Sequence, residues 1–381
     1  MGSFLLNCSP MVIMVFLLAC MRCYGRELQR VAHAEYNSTP EADKQRTAYG
    51  TELAKMYLQD NSMPINGESS QRLLPTFKQL AAFSRTIIVD LHGRGHFKSV
   101  QAAVDSVPVY NQHWVYIQIG PGIYYEKVTI PYNKPFIALQ GAGRTKTVIS
   151  WKDRASAIGT ANSATFSATA PSFIARGIGF RNAAPPPSPG AYGGQAVAVL
   201  LNGDMMAFYD CGFYGAQDTL FDYEGRHYFK NCYIQGSIDF IFGHGQSFFK
   251  GCQLVVTAQS GYVSGSITAQ NRGSPHDGGG FVFLSCRIMG TGDVYLGRAW
   301  GPYSRVVFMY TYMSNIIVPD GWYDWGQSAR QGTVFYGQYK CSGPGANTAR
   351  RVSWSHELTD SQVQPFLQLS FIDAGNWLQE T

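Results

Sequence analysis

The feature that most constrains this chain is a short motif that returns at nearly constant spacing. Phe208-Tyr-Asp-Cys211-Gly-Phe213, Phe229-Lys-Asn-Cys232-Tyr-Ile234, Phe249-Lys-Gly-Cys252-Gln-Leu254 and Phe283-Leu-Ser-Cys286-Arg-Ile288 share the pattern F-x-x-C-x-apolar. Phe308-Met-Tyr-Thr311-Tyr-Met313 is a fifth copy with Thr in place of Cys. The cysteines are 21, 20 and 34 residues apart. A period near 20 residues, with alternating apolar positions, predicts one turn of a parallel β-helix. The 34-residue gap is then one turn carrying a long loop. Stacked turns bury the inner face of every strand, so the same residue types recur at the same rung. The cysteines read as a buried ladder of small apolar side chains. Cys252 and Cys286 are also open to a disulfide if their turns are adjacent.

Composition agrees with this architecture. Of 381 residues, 45% are hydrophobic, 14% aromatic and 14% charged, with 41 glycines. That mixture favours β-structure with many turns over a helical bundle and suffices for a large core. Thr86–Val89 and Trp114–Ile119 read as strands, and Val100–Val104 as a short helix between them. The expected fold is all-β, a single parallel β-helix domain over 86–381 with a short N-terminal helix. The net charge is +5 without any run of Lys or Arg. This gives no footprint for nucleic acid; it suits an acidic polymer or wall matrix, while composition alone favours a solvated surface with no charged partner. The apolar run Met11–Leu18 is too short to span a bilayer and fits the core of a signal peptide cleaved after Gly25, with a retained signal anchor as the alternative. No later segment reads as membrane-spanning. We therefore expect a signal at 1–25, a loosely ordered lead-in at 26–85 and a secreted, extracellular protein. Five cysteines remain after cleavage, an odd number, so at least one thiol is free or pairs between chains. Asn37-Ser-Thr39 is a glycosylation sequon.

The repeat also locates a chemical site. Ile238-Asp239-Phe240-Ile241-Phe242 places a carboxylate in an apolar run, which is costly unless the charge is paired. Asp239 lies seven residues after Cys232, and Asp218 seven residues after Cys211, so they occupy equivalent positions on successive turns. Parallel strands put such carboxylates roughly 5 Å apart. Gln195 and Gln217 are 22 residues apart, again about one turn. Two close carboxylates titrate as a coupled pair, one ionised and one protonated, which suits a nucleophile and a general acid. The amides supply donors for an oxyanion. One such residue alone reads more simply as strand-end closure; four in register favour chemistry. In Leu296-Gly-Arg298-Ala-Trp300, a guanidinium aimed at Asp239 would keep it ionised, and Trp300 offers a flat face to a sugar ring. Taken alone, these two also read as a surface Arg and a core Trp.

These residues resemble those of plant pectin methylesterases. Gly122-Ile-Tyr-Tyr-Glu126, Gln195-Ala-Val-Ala-Val199, Gly215-Ala-Gln-Asp-Thr-Leu220, Asp239-Phe-Ile-Phe-Gly243 and Leu296-Gly-Arg-Ala-Trp300 look like five signature motifs of that family in the same order. The resemblance spans about 86–378 and fits the short form without an inhibitor-like N-terminal region. It implies a right-handed parallel β-helix and hydrolysis of galacturonate methyl esters in cell-wall pectin, without metal or cofactor. It implies Asp239 as nucleophile, Asp218 as acid and base, Gln195 and Gln217 as oxyanion donors and Arg298 as the orienting cation. Substrate contacts would come from Gln195, Arg298, Trp300, Phe221 and Tyr124. The expected partner is pectin, with a proteinaceous inhibitor as a further candidate; the chain is expected to be a monomer. Ala216, Phe221, His244-Gly245 and Ala299 depart from the family pattern; His244, five residues from Asp239, reads first as a surface turn histidine and second as an added titrating group.

Two rival enzymes are weaker. A serine esterase needs a G-x-S-x-G elbow, which is absent from the chain. A pectate-lyase-like β-helix needs a cluster of Asp ligands for calcium, and only Asp218 and Asp239 align. The remaining alternative is a non-catalytic pectin-binding wall protein.

Overall fold

The computed structural model describes residues 85–378 apart from 189, 190 and 262. The expected signal, the Asn37 sequon and all of the lead-in except Arg85 lie outside the described residues. Among the described residues the strands form three sheets, one of eleven strands and two of eight. Every strand pairing is parallel, and consecutive strands of a sheet come from successive turns. This is a right-handed parallel β-helix. One turn runs through the three sheets in a fixed order, as in Met206–Tyr209 of sheet I, Gly212–Tyr214 of sheet III and Leu220–Glu224 of sheet II. Arg226–Lys230, Tyr233–Gly236 and Ile241–Gly243 repeat that path one turn on.

The repeat explains why the turns stack. Phe208, Phe229, Phe249, Phe283 and Phe308 are strict register partners in sheet I. From Phe229 to Phe308 their rings stack with centroids 4.5 Å apart at each step. Each is fully buried, which contributes roughly 1.5–3 kcal/mol per ring. Two residues after each Phe the chain leaves sheet I through one residue in the left-handed region. Asp210, Asn231, Ser285 and Tyr310 have φ between 49° and 56°, a conformation that Asp and Asn adopt more readily than most residues, and Gly251 takes the same place after Phe249 at φ 65°.

The next residue turns inward and builds the thiol ladder. Cys232, Cys252 and Cys286 direct Sγ to the carbonyl oxygens of Phe208, Phe229 and Phe249 on the preceding turn, each at 3.5 Å. Thr311 continues the ladder, its hydroxyl donating to Met309 O at 3.1 Å. Cys252 and Cys286 do lie on adjacent turns, but both are free thiols, as are Cys211, Cys232 and Cys341.

Two helices pack against the β-helix, one in its core cluster and one on the outer face of sheet I. The expected N-terminal helix is Val100–Asp105, which buries Val100, Ala103 and Val104. The Glu126 carboxylate accepts from Val100 N and Gln101 N at 2.7 and 3.1 Å, an acid at a helix N-terminus. Asp360–Leu367 is a helix started by a capping box between Thr359 and Gln362. Its Val363 and Phe366, with Phe371, Ile372 and Trp377, share a cluster with Tyr228, Phe248, Val282 and Val307 of sheet I. Among the described residues no helix is long and apolar enough to cross a membrane.

Candidate active site

The outer face of sheet II carries one register row: Leu200, Phe221, Phe242, Ala269, Arg298 and Tyr323. Phe221 and Phe242 stack at 4.2 Å with an interplanar angle of 16°. Trp300 lies at the end of this floor, 6.0 Å from Phe242 between ring centroids.

The aspartates enter from the corner between sheets III and II. Asp218 N donates to Ile238 O at 3.0 Å, and Asp239 N donates to Ser266 O at 2.7 Å. With Gln217 bridged to Ile238 and Leu220 paired with Ile241, Asp218 and Asp239 are level on adjacent turns. That places their strands about 4.8 Å apart. Both residues adopt the left-handed region, at φ 63° and 47°. Such backbone is sparsely populated and gathers at functional sites. The 22-residue offset of the glutamines has a structural cause. Thr219 O accepts from both Ala198 N and Val199 N, at 2.8 and 3.2 Å, so one extra residue enters there. Gln195 is thereby level with Gln217. A Cβ on Gly194 would fall 2.9 Å from Gln217 Oε1 and 2.4 Å from Pro187 Cβ. Only glycine lets Gln217 and the proline-rich loop close on this corner.

Arg298 reaches across the small Ala269 to Asp239. Its Nε donates to Asp239 Oδ1 at 2.7 Å, and Nη2 donates to Oδ2. The fork is bidentate, which fixes the carboxylate's orientation as well as its charge. Burial raises the Asp239 carboxyl above its ordinary value, although Arg298 acts against it. Burial, and then the charge of Asp239, pushes the Asp218 carboxyl well above the usual carboxylate range. The pair is therefore asymmetric: an Arg-bound Asp239 beside an Asp218 without a cation of its own, whose carboxyl is pushed further toward the protonated form.

Not every expected residue is here. Tyr124 is corrected: it is only 1% exposed, its ring sits in the β-helix core and its hydroxyl donates to Gly120 O at 3.0 Å. As the third residue of the strand Gly122–Tyr124, it points inward. Phe221 is a buried floor residue rather than an open platform. His244 is engaged away from the aspartates, with Nδ1 on Asn271 O at 2.8 Å and Nε2 on Asp277 at 2.7 Å. One residue was missed. Trp325 lies against the Arg298 guanidinium, 4.0 Å from ring centroid to Cζ, a cation–π contact. Its loop is pinned by Arg330, which donates to Ala299 O and, at 2.9 Å, to Trp300 O. The available signal was Tyr323-Asp-Trp-Gly326, an aromatic pair beside a glycine.

Comparison with known proteins bears on this geometry. The family model described as Pectinesterase matches residues 86–376. "Probable pectinesterase 8" of Arabidopsis thaliana is 49% identical over 299 residues, covering 77% of this chain and 76% of that protein. "Probable pectinesterase 67" of the same plant is 45% identical over 305 residues, covering 80% and 88%. Among solved structures, "Pectin methylesterase from Carrot" superposes with a TM-score of 0.72 at 35% identity, over 78% of this chain and 95% of that one.

Proposed function

Because this chain belongs to the pectinesterase family and hydrolyses the methyl esters of pectin, we propose that Asp239 is its nucleophile and Asp218 its general acid and base. The observation that carries this reading is the asymmetric pair: two level aspartates, of which only Asp239 is gripped by a guanidinium. An Asp239 oxygen attacks the ester carbonyl carbon, and the carbonyl electron pair moves to oxygen. Gln195 and Gln217 donate N–H groups to that oxyanion. As the C–O bond to methoxy breaks, the Asp218 proton passes to the leaving oxygen and methanol departs. A mixed anhydride between Asp239 and the galacturonate remains. Asp218, now ionised, takes a proton from water while the water oxygen attacks the anhydride. Asp239 leaves as a carboxylate, held by Arg298, and Asp218 is protonated again.

Trp300 lines the sugar cleft in this reading, and Trp325 keeps Arg298 in place. The apolar floor of Leu200, Phe221 and Phe242 suits an esterified, uncharged substrate better than a charged one. Residues 1–25 act as a secretion signal, 86–381 form the catalytic domain, and the enzyme works as an extracellular monomer in the wall, open to a protein inhibitor. The test is methanol release from highly esterified pectin by the wild type and by Asp239→Asn. We expect release by the first and none by the second. Equal release by both would make Asp239 structural.

A further inference from the structure

Sheet III presents a second face with its own chemistry. Its described strands contain no Asp or Glu, and their charged residues are Arg181 and Arg287. A third cation, Arg144, is brought onto this face by two glycines. A Cβ on Gly179 would fall 2.3 Å from Arg144 O, and one on Gly212 would fall 2.5 Å from the Tyr214 ring. Their absence lets the Arg144 backbone descend to the sheet and lets Tyr214 lie flat across it. The Arg144 guanidinium then sits 5.6 Å from the Tyr233 ring centre, and Tyr233 sits 5.4 Å from Tyr214. Further along, Arg287 lies 4.5 Å over Tyr312. Among the described residues, no carboxylate forms an ion pair with Arg144, Arg181 or Arg287. Arg181 and Arg287 are four strand spacings apart, roughly 19 Å, so the strip is long enough for several sugar units.

We propose that this outer face of sheet III is a non-catalytic docking strip for the de-esterified, polyanionic galacturonan that the enzyme itself produces. The proposal rests on the pectin-hydrolysing reading, because only that reaction supplies the polyanion. Carboxylates on successive sugars meet the three guanidiniums through charge-assisted hydrogen bonds. Sugar rings lie against the flat tyrosines. The cleft, with its apolar floor, takes the esterified stretch of the same polymer, while sheet III holds the stretch already converted. Converted polymer would then keep the enzyme on the chain whose esters remain.

The test compares the wild type with the Arg144→Gln/Arg181→Gln/Arg287→Gln variant, which alters no cleft residue. Binding to fully de-esterified polygalacturonate is read by affinity electrophoresis at rising NaCl with both proteins carrying Asp239→Asn, so that a short methyl-esterified oligogalacturonide fills the cleft without being hydrolysed. We expect the wild type to remain retained, with retention falling as salt screens the contacts. The variant should bind about tenfold more weakly, while methanol release from the short oligomer, read with Asp239 intact, stays unchanged. Equal retention of both proteins, or release of the wild type by the oligomer, overturns the proposal. Thermal unfolding of both proteins guards against misreading a folding loss, and the exposed single change Arg287→Gln carries the same comparison should the triple variant fold poorly. Absence of methanol release from any substrate would count against the hydrolytic reading and leave the retention comparison readable.

Discussion

Asp218 and Asp239 have the same side chain and equivalent backbone, and differ in one partner, Arg298. That difference gives the site its expected pH behaviour. In the proposed mechanism Asp239 works as an anion and its pKa is raised, so activity falls as pH drops through that value. In the same mechanism Asp218 works as an acid and its pKa is raised well above the usual carboxylate range, so activity also falls as pH rises through that higher value. A kcat/KM profile should therefore be bell-shaped, and a profile flat on both sides would contradict the assignment. Arg298→Lys keeps one charge but loses the bidentate fork. We expect kcat to fall about ten- to hundredfold and the acid limb to move to higher pH, since Asp239 loses its main counterweight to burial. Much of this was legible residue by residue: the spacing from the cysteines placed both aspartates. Trp325 was not, because its contact with Arg298 is made by a loop 25 residues beyond Trp300. Tyr124 was misplaced because a motif shows that a residue recurs, not which side of a strand it faces.

Elements follow the repeat more closely than single side chains do. Phe249 stacks on Phe229 and Phe283, so Phe249→Ala removes two ring contacts and opens a cavity mid-column. A loss of about 3–5 kcal/mol is expected in urea unfolding. The thiols make a second check. Cys211, Cys232, Cys252 and Cys286 are at most 3% exposed, so a thiol reagent should label none of them in the native protein and all of them in denaturant. A count short by two in denaturant would reveal a disulfide between Cys252 and Cys286. The strand ends hold one polar surprise. His227 and Asp222 are fully buried in direct contact, and His227 Nε2 donates to Gly203 O at 2.7 Å. Burial pushes the imidazole pKa down, but the charge and hydrogen bond of Asp222, with the Gly203 carbonyl and the charge of Asp204, together offset this, and the net shift is upward. A raised folded-state pKa stabilises fully below the unfolded value near 6.5 and loses that stabilisation as pH rises through the folded value. Thermal stability should thus decline on the alkaline side, and His227→Gln should flatten that decline. Alternation hides such a pair, because Asp222 and His227 sit at inward positions that the pattern assigns to apolar residues.

Across the molecule, the three sheets divide the work. Sheet II carries the candidate active site, sheet III presents the basic and aromatic strip, and the outer face of sheet I is covered by the C-terminal segment. That cover is apolar: Phe366, Phe371 and Trp377 meet Tyr228, Phe248 and Val282. A protein lacking residues 360–378 should bind a hydrophobic dye and aggregate, because a face this apolar is rarely left exposed. If it stayed soluble and dye-free, the segment would not be the cover described here. The parallel architecture also explains why one corner can collect a site. Each turn returns the chain to the same place, so residues about 21 apart become neighbours, and a few turns suffice to gather Gln195, Gln217, Asp218, Asp239 and Arg298.

The sequence by itself determined the β-helix, its period, the phenylalanine and cysteine columns and the pairing of the two aspartates. Each of these depends on a local period, which survives in one dimension. Tertiary structure alone decided that Arg298 crosses Ala269 to grip Asp239, that Trp325 backs it and that Tyr124 turns inward. It also decided that Arg144 descends onto sheet III and that His227 meets Asp222. Those contacts depend on the direction of side chains across stacked turns and on loops of unequal length. No periodicity in the chain records either one.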